Sequence, residues 1–391
     1  MIGGFGKMAN NGIELQYKAK EDLKRIIAII SPVTLKEIVS FGQNRLDGWS
    51  NMLIFGDNLQ ALRTLIKEPN IKGKIRLVYI DPPFGTNQDF KSGISRTVSK
   101  SREDDTAYND RLVGAEYIEF LRKRIILLRE IMSEDSSIYV HIDWKMCHYV
   151  KVLMDEIFGQ ERFINNITRI KCNPKSFRRM AYGNMTDAIL FYSKTDEYIW
   201  NDQREDFTDE QIKTLFPKID KEGRHYTTLP LHAPGETLNG PTGKEWRGRK
   251  PPRGSHWQYP PEELDKLNEQ GLIEWSSTGN PRRIYYAEEA VKKGKKRQDI
   301  WEFKDPPYPS YPTEKNLEML KTIIEASSNP DDLVLDCFVG SGTTLIAAEE
   351  LGRRWIGIDN SKVALDVAQK RLSSIKKHSR FTLYKIWEKM E

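Results

Sequence analysis

The chain has 391 residues, of which 38% are hydrophobic and 30% charged, and its formal net charge is +5. No apolar run reaches the roughly 18 residues that a membrane span requires, and the first residues lack a signal-peptide pattern, so we expect a cytoplasmic protein. The cysteines, Cys147, Cys172 and Cys337, are far apart, which argues against a disulfide framework and a Cys-based zinc site. We therefore expect chemistry without a metal.

The first half of the chain alternates predicted strands and helices. Residues 51–66 ("NMLIFGDNLQALRTLI") predict a strand, a Gly-Asp turn and a helix capped by Asp57. The apolar run "IRLVYI" at 75–80 predicts a strand buried on both faces of a parallel sheet, and the polar stretch at 85–112 predicts a loop. Alternation resumes with "EYIEFLRKRIILLREIM", "SSIYVHID", "HYVKVLMDEIF" and "DAILFYSK". This order predicts a doubly wound, mostly parallel α/β sheet.

The pattern changes in the middle of the chain and then returns. Residues 196–300 are rich in Pro, Gly, Trp and basic residues and predict one clear helix, near "PPEELDKLNEQG". We expect residues 1–195 and 301–391 to form two parts of one α/β domain, interrupted by this insert. Residues 241–300 contain thirteen Lys or Arg and nine Asp or Glu, which accounts for most of the net charge. Such a bias indicates an anionic partner.

The stretch "DDLVLDCFVGSGTTLIAAEELGRRWIGIDNS" predicts a cofactor-binding unit. It reads as a strand ending at Asp336, a turn through Gly340 and Gly342, a helix from about Thr343 and a second strand ending at Asp359. The start of the helix directs N–H groups at a ligand, and an acid at the second strand end accepts hydrogen bonds from ribose hydroxyls. The unit therefore predicts a nucleoside-containing cofactor, with a carboxylate favoured over a pyrophosphate. The plainer alternatives are a tight turn for the glycines and a helix cap for Asp359.

An Asp-Pro-Pro-aromatic tetrapeptide occurs twice, as "DPPF" from Asp81 and as "DPPY" from Asp305. Asp81 directly follows a predicted central strand, which places it at the sheet edge where ligands bind. Pro82 and Pro83 stiffen the turn, so that the Asp81 carboxylate and the Pro82 carbonyl face one guest group, and Phe84 offers a stacking surface. Two acceptors suit an exocyclic amino group of a base flipped out of its duplex. Asp305 follows a short, charged segment, and we expect it to be structural.

These motifs, in this order, resemble the amino-methyltransferases of DNA. The resemblance rests on "DPPF", "DCFVGSGTT", "GIDNS", "IFGDNLQAL", "YPTEKN" and "DAILFYSK", and it is closest to the β class and to the modification subunits of type III restriction systems. It implies a Rossmann-like methyltransferase sheet with an inserted target-recognition region, S-adenosyl-L-methionine (AdoMet) as cofactor and methylation of adenine N6 in double-stranded DNA. A homodimer and a restriction subunit are further implied partners. The alternatives are methylation of cytosine N4 or of RNA, and a non-catalytic DNA-binding subunit.

The resemblance also implies roles for individual residues. Asp81 to Phe84 would bind and activate the target amine, and an Asp at position 81, where cytosine-N4 members usually carry Ser, favours adenine. Asp359 would bind the ribose, and Asp57 would lie near the adenine of the cofactor. The complete set of predicted cofactor contacts is Asp57, Asp81, Thr313, Lys315, Asp336, Phe338, Gly340, Ser341, Gly342, Thr343 and Asp359.

The insert would then recognise DNA. Its segments "KEWRGRKPPRGSHWQY" and "VKKGKKR" combine cations for phosphates with Trp246, Trp257 and Tyr259 for packing or base contact. A solvated charged face is the alternative for "VKKGKKR". The predicted nucleic-acid contacts are Lys244, Arg247, Arg249, Lys250, Arg253, Trp257, Lys292 and Lys293.

Overall fold

The computed structural model describes most of the chain. The described residues are 13–18, 20–28, 33–83, 88–92, 105–110, 114–174, 180–237, 239–277, 279–309, 311 and 314–387. The chain divides into two compact units, a larger one from Met1–Asp202 with Gln298–Glu391 and a smaller one from Gln203–Arg297. The smaller unit lies within the predicted insert. Within the described ranges, no helix is both long and apolar enough to cross a membrane.

The first part of the larger unit alternates strands and helices as predicted. Its elements in chain order are α1 (Leu23–Ala28), β1 (Thr34–Phe41), β2 (Asn51–Phe55), α2 (Asn58–Leu65), β3 (Ile75–Ile80), β4 (Gln88–Ser92), β5 (Asp105–Asp110), α3 (Gly114–Ile131), β6 (Met132–Ile142), α4 (Cys147–Phe158), β7 (Phe163–Ile170) and β8 (Thr186–Ser193). Asp57 caps α2, as predicted, because its side chain accepts the backbone N–H of Gln60.

The smaller unit has short elements around its own core. They are β9 (Arg204–Glu205), α5 (Asp209–Leu215), β10 (Lys218–Ile219), β11 (His225–Pro230), β12 (His232–Pro234), β13 (Ser255–Trp257), α6 (Pro261–Glu269), β14 (Ile273–Trp275), β15 (Pro281–Tyr286), α7 (Ala287–Lys293) and β16 (Lys295–Lys296). Four of the strands form an antiparallel sheet in the order β10-β11-β15-β14. The predicted helix is α6, whereas α5 and α7 had no clear signal in the sequence.

The last part of the chain completes the larger unit. Its elements are β17 (Ile300–Glu302), α8 (Leu317–Ser327), β18 (Leu333–Asp336), α9 (Thr343–Glu350), β19 (Arg354–Asp359), α10 (Lys362–Ser373) and β20 (Phe381–Trp387). The larger unit contains one ten-stranded sheet in the order β1-β20-β2-β19-β18-β3-β6-β8-β7-β17. The six strands from β20 to β6 in this order run parallel to one another. The predicted mostly parallel α/β sheet is therefore confirmed.

Apolar side chains bury both faces of this sheet. In β3, Val78 and Ile80 pack with residues of α2, α3 and α4, whereas Leu77 and Tyr79 pack with residues of α8, α9 and α10. Successive side chains of a strand point to opposite faces, so a strand covered on both sides is apolar throughout. Burial of both faces explains why the run "IRLVYI" is almost entirely apolar. The helical layers on the two faces make the sheet doubly wound.

The structure corrects one local prediction. The stretch 85–112 was expected to be a loop, yet its described residues form β4 and β5, which pair as a two-stranded antiparallel sheet; the rest of the stretch lies outside the described residues. The cross-strand backbone hydrogen bonds of this pairing join segments more than ten residues apart, which local polarity does not report. Four sheet strands, β1, β7, β17 and β20, also had no clear signal, because they lie at or next to the sheet edges and carry polar residues.

Candidate active site

Three acidic residues lie at the carboxyl ends of three neighbouring parallel strands. Asp81 follows β3, Asp336 ends β18 and Asp359 ends β19, and these strands are adjacent in the sheet. All three line one open cavity, together with Pro82 and Pro83. The carboxyl edge of an open α/β sheet is where such folds bind ligands. The structure thus brings together the two motifs that the sequence places more than 250 residues apart.

The glycine loop between β18 and α9 has the predicted sharp turn. Gly340 and Gly342 have φ angles of +50° and +81°, a region that favours glycine. A Cβ atom on Gly342 would lie 2.8 Å from the Cβ of Ala368, whereas one on Gly340 would meet only the ring of Tyr311, at 3.8 Å. Gly342 is therefore required by packing, while Gly340 leaves open backbone beside the cavity.

Asp359 joins the glycine loop to the next helix. Its Oδ2 accepts the N–H of Gly340 and its Oδ1 accepts the N–H of Ser361, each at 2.8 Å. Burial raises the pKa of Asp359, although these hydrogen bonds act in the opposite direction. The cap of α10 is the side chain of Ser361, so Asp359 is not that cap. The backbone N–H of Asn360 is a third donor to this carboxylate, and three donors leave one of its four lone pairs to accept from a ligand.

Asp336 is the most deeply buried acid of the cavity. Burial raises its pKa to about 7, and the neighbouring charges of Asp81 and Asp359 act in the same direction. Hydrogen bonds from the Phe338 N–H and with the Thr344 hydroxyl oppose this rise. A buried acid among two other acids favours a cationic guest group, because a nearby positive charge stabilises the ionised carboxylate.

The Asp81 carboxylate has a basic residue on each side. The ammonium of Lys315 lies 2.7 Å from Oδ2, and Nδ1 of His141 lies 4.0 Å from Oδ1. Within the described ranges, Oδ1 is buried and has no hydrogen-bond partner. Pro82 and Pro83 line the cavity beside it. Phe84, the fourth residue of the motif, lies outside the described residues.

His141 belongs to a row of buried polar residues behind Asp81. Burial lowers its pKa, although its hydrogen bond with Asp187 acts in the opposite direction, so the ring is neutral at pH 7. In that state Nε2–H donates to Oδ2 of Asp187 at 3.3 Å, and Nδ1 accepts from the Tyr79 hydroxyl at 2.8 Å. Burial alone would raise the pKa of Asp187, but hydrogen bonds from His141 and Lys171 bring it below its ordinary value.

The second tetrapeptide lies at the far end of this row. The guanidinium of Arg169 is fully buried, lies 3.7 Å from Asp187 and contacts Oδ1 of Asp305 at 2.5 Å. The Asp305 side chain is 48% exposed, and its N–H donates to the carbonyl of Lys171. Asp305 therefore neutralises a buried cation and does not line the cavity, which agrees with the structural role expected from the sequence.

A sequence model of a DNA methylase family, that of the N6 and N4 methyltransferases, matches residues 75–370. The chain belongs to this family. The type II methyltransferase M.EcaI of Enterobacter cloacae is 46% identical over 83% of this chain, and the chain spans 69% of that protein. The StyLTI Mod subunit of a type III restriction-modification enzyme from Salmonella typhimurium is 24% identical over 86% of this chain, which spans 54% of its length. The solved structure of the M1.HpyAVI–SAM complex is 16% identical, with a TM-score of 0.42, and covers 82% of this chain and all of that one.

The other predicted cofactor residues of this methylase differ in their position relative to the cavity. Phe338, Ser341 and Thr343 line the cavity with the acids and the glycine loop. Asp57 is not part of that lining, and besides capping α2 it pairs with the buried Arg124 at 2.9 Å. Thr313 lies outside the described residues. Lys315 does line the cavity, but its ion pair is with Asp81.

Sequence reasoning missed several cavity residues. Tyr311 and Asn360 both line it, and both stood within quoted motifs, "YPTEKN" and "GIDNS". His141, which lies behind Asp81 and is not part of the cavity lining, had a weaker signal, as a polar residue near the end of the otherwise apolar strand "SSIYVHID". The ion pair between Lys315 and Asp81 had no local signal, because the two residues are 234 positions apart in the sequence.

The predicted nucleic-acid contacts lie in the smaller unit. One cavity there is lined by Arg249, Lys250, Arg282, His232 and Trp257, among others. The remaining predicted cations are exposed, and they are Lys244, Arg247, Arg253, Lys292 and Lys293. These side chains are accessible to solvent, and one of them, Arg247, is ion-paired with Asp265 at 3.0 Å.

The structure corrects the prediction for one aromatic residue. Trp257 is only 2% exposed, and its indole N–H donates to the carbonyl of Lys244. Its ring packs edge-on against Trp246 in the core of the smaller unit, with Leu231 and Leu264 in the same cluster. Of the two roles considered for Trp257, packing and base contact, the structure supports packing, because a buried ring has no face free for a base.

Proposed function

We propose that this chain is an AdoMet-dependent methyltransferase that transfers a methyl group to N6 of adenine in double-stranded DNA. The observation that carries the proposal is the position of Asp81, at the end of a central parallel strand and in the same cavity as the glycine loop and Asp359. This arrangement puts an acceptor for a target amine next to a site for a nucleoside cofactor.

The residues of the cavity fit AdoMet. AdoMet carries an ammonium and a sulfonium group, and the three acids Asp81, Asp336 and Asp359 supply complementary negative charge. Gly340 leaves backbone open to close approach, and Asp359 keeps acceptor capacity for a ribose hydroxyl. When bound, the cofactor supplies an electrophilic methyl group.

Asp81 would act on the target amine. An exocyclic amino group has two N–H donors, and accepting one of them at the carboxylate and one at the Pro82 carbonyl orients the nitrogen and leaves its lone pair toward the methyl group. As the nitrogen–methyl bond forms, the sulfur–methyl bond of the cofactor would break and leave a neutral thioether. The methylated nitrogen would then lose one N–H proton to solvent, by way of the Asp81 carboxylate that accepts that N–H. Adenine in a duplex is stacked and paired, so the base must be flipped out to reach this edge of the sheet.

The smaller unit would supply the DNA contacts. Its accessible cations, including Arg247, Lys250 and Arg253, suit the phosphate backbone, and contacts of this kind dominate the affinity for DNA. We assign this unit, Gln203–Arg297, as the target-recognition region. The name of the StyLTI Mod subunit places that protein in a restriction-modification enzyme, and we propose a restriction-modification setting here, with a homodimer or a restriction subunit as further partners.

The proposal is tested by incubating the protein with labelled AdoMet and, in parallel, with duplex DNA or total RNA. We expect label in the DNA alone and, after digestion to nucleosides, in N6-methyladenine. Label in RNA, or only in N4-methylcytosine, would contradict the proposal in favour of one of the related enzymes. AdoMet binding without any transfer would instead indicate a non-catalytic subunit.

A further inference from the structure

The Asp81 carboxylate is held from one side. At Oδ2 the ammonium of Lys315 lies 2.7 Å away, whereas at Oδ1 the described residues provide no hydrogen-bond partner. The nearest ring nitrogen, Nδ1 of His141, is 4.0 Å from Oδ1 and already accepts the Tyr79 hydroxyl, so it has no proton to donate. Among the described residues, the Lys315 ammonium is therefore the group that fixes the carboxylate.

Lys315 itself stands on a well-fixed segment. It directly precedes Asn316, the N-cap of α8, whose side chain accepts the N–H of Met319 and donates to the carbonyl of Lys304. The Lys315 residue is 9% exposed, so its side chain is confined by its neighbours. A cation anchored in this way holds a partner carboxylate in one orientation.

The contact leaves room for a substrate. A carboxylate oxygen has two lone pairs, so Oδ2 accepts one N–H from Lys315 and can accept a second from a guest amine. The terminal torsion of an Asp side chain is broad, so an unheld carboxylate samples many orientations. A charge-assisted hydrogen bond narrows that range, and catalytic groups gain rate from being held in the productive geometry.

We infer that Lys315 is a positioning residue that fixes the Asp81 carboxylate for the target amine, rather than a ligand of the cofactor. The inference rests on the proposed methyl transfer and deepens it, since it assigns how the acceptor is oriented. It departs from the role that the resemblance implied for Lys315. Because Lys315 acts through Asp81, its contribution should depend on the Asp81 carboxylate.

The test uses Lys315→Met and Lys315→Arg, each in the wild type and in an Asp81→Asn background. We expect Lys315→Met to lower the single-turnover methylation rate roughly 10- to 100-fold, the range for a charge-assisted hydrogen bond. The Kd for AdoMet should change less than about twofold, and Lys315→Arg should recover part of the rate because a guanidinium also donates to a carboxylate. In the Asp81→Asn background, Lys315→Met should cost less than about threefold, since coupled residues are not additive.

The control is Lys321→Met, which removes a lysine paired with Glu318 and Glu350 on the helical surface. It should leave the rate unchanged. A raised Kd for AdoMet with the rate retained would overturn the inference and make Lys315 a cofactor ligand. An equal loss in both Asp81 backgrounds would also overturn it, as would a faster rate, which would mean that the ammonium competes with the target amine. A wild type that methylates no nucleic acid would contradict the proposed function itself.

Discussion

Replacing Asp336 by Asn should stabilise the cofactor-free protein in a pH-dependent way. Burial raises the pKa of this carboxyl from 3.8 to about 7. In the folded protein the carboxyl thus binds its proton more tightly than in the unfolded chain, so the stability of the wild type falls as the pH rises from about 4 to about 7. Relative to low pH, this carboxyl lowers the free energy of unfolding by roughly 1.5 kcal/mol at pH 5 and by about 4 kcal/mol above pH 7.

An Asn side chain removes this cost but adds a smaller one. The amide oxygen can still accept the N–H of Phe338. If the amide leaves a buried polar group without a good partner, the free energy of unfolding falls by about 1 to 3 kcal/mol, and this loss does not vary with pH. The pH dependence is therefore the clean signal. Between pH 5 and pH 8 the advantage of Asp336→Asn over the wild type should grow by about 2.5 kcal/mol, or by roughly 3 to 4 °C in Tm.

Calorimetric melts of the cofactor-free protein, from pH 5 to pH 8, measure this difference. Asp366→Asn is the matched control, because Asp366 is exposed on α10 and its replacement should change Tm by the same small amount at every pH. Asp336→Asn should also weaken AdoMet binding tenfold or more at pH 8, because the cavity loses one of its three acids. Parallel Tm curves for Asp336→Asn and the wild type would refute the reasoning.

Three further predictions concern the cofactor and the DNA. Gly340→Asp should abolish AdoMet binding without unfolding the protein. Gly340→Asn, in which the new side chain has the same shape as Asp but no charge, should bind AdoMet more tightly than Gly340→Asp. Equal Kd values by calorimetry would mean that charge at this position is irrelevant. In the wild type, the affinity for AdoMet should fall as the pH drops below about 7, because Asp336 takes up a proton there, and it should fall less in Asp336→Asn; equal pH profiles would speak against this. Changing Arg247, Arg249, Lys250 and Arg253 to Ala should weaken DNA binding and lower its log–log salt slope by about 0.9 for each phosphate that the variant no longer neutralises. An unchanged slope and unchanged specificity would assign these residues to a solvated face, whereas weaker discrimination between cognate and random duplexes would assign them to bases.

Local sequence patterns predicted the central strands and the cofactor loop. The strand β3 is buried on both faces and is therefore apolar throughout, and the unit β18-α9-β19 has its turn glycines and terminal acids at the ends of such strands. These features depend on neighbouring residues in the chain. They consequently also placed Asp81, Asp336 and Asp359 at one edge of the sheet.

Features that depend on distant residues were not predictable. The strand β7 carries polar residues such as Asn165 and Asn166 and is defined by pairing with β8 and β17. The burial of Trp257 depends on Trp246 and Leu264, and the ion pair of Lys315 with Asp81 depends on the order of strands in the sheet. The sequence motifs singled out Trp257, Lys315 and Asp81 as candidate functional residues. Only the fold shows which of them are accessible to a ligand.

The central claim, that Asp81 and not Asp305 acts on the target amine, is tested most directly by single-turnover methylation of duplex DNA. The wild type, Asp81→Ala and Asp305→Ala are compared side by side, with the Kd for AdoMet measured for each. Asp81→Ala should lower the rate by roughly two orders of magnitude or more while AdoMet still binds, as expected for the loss of a polar group at the reacting centre. Asp305→Ala should keep most of the rate, because its partner Arg169 retains Asp187 and the Phe303 carbonyl. A larger loss for Asp305→Ala than for Asp81→Ala would contradict the account.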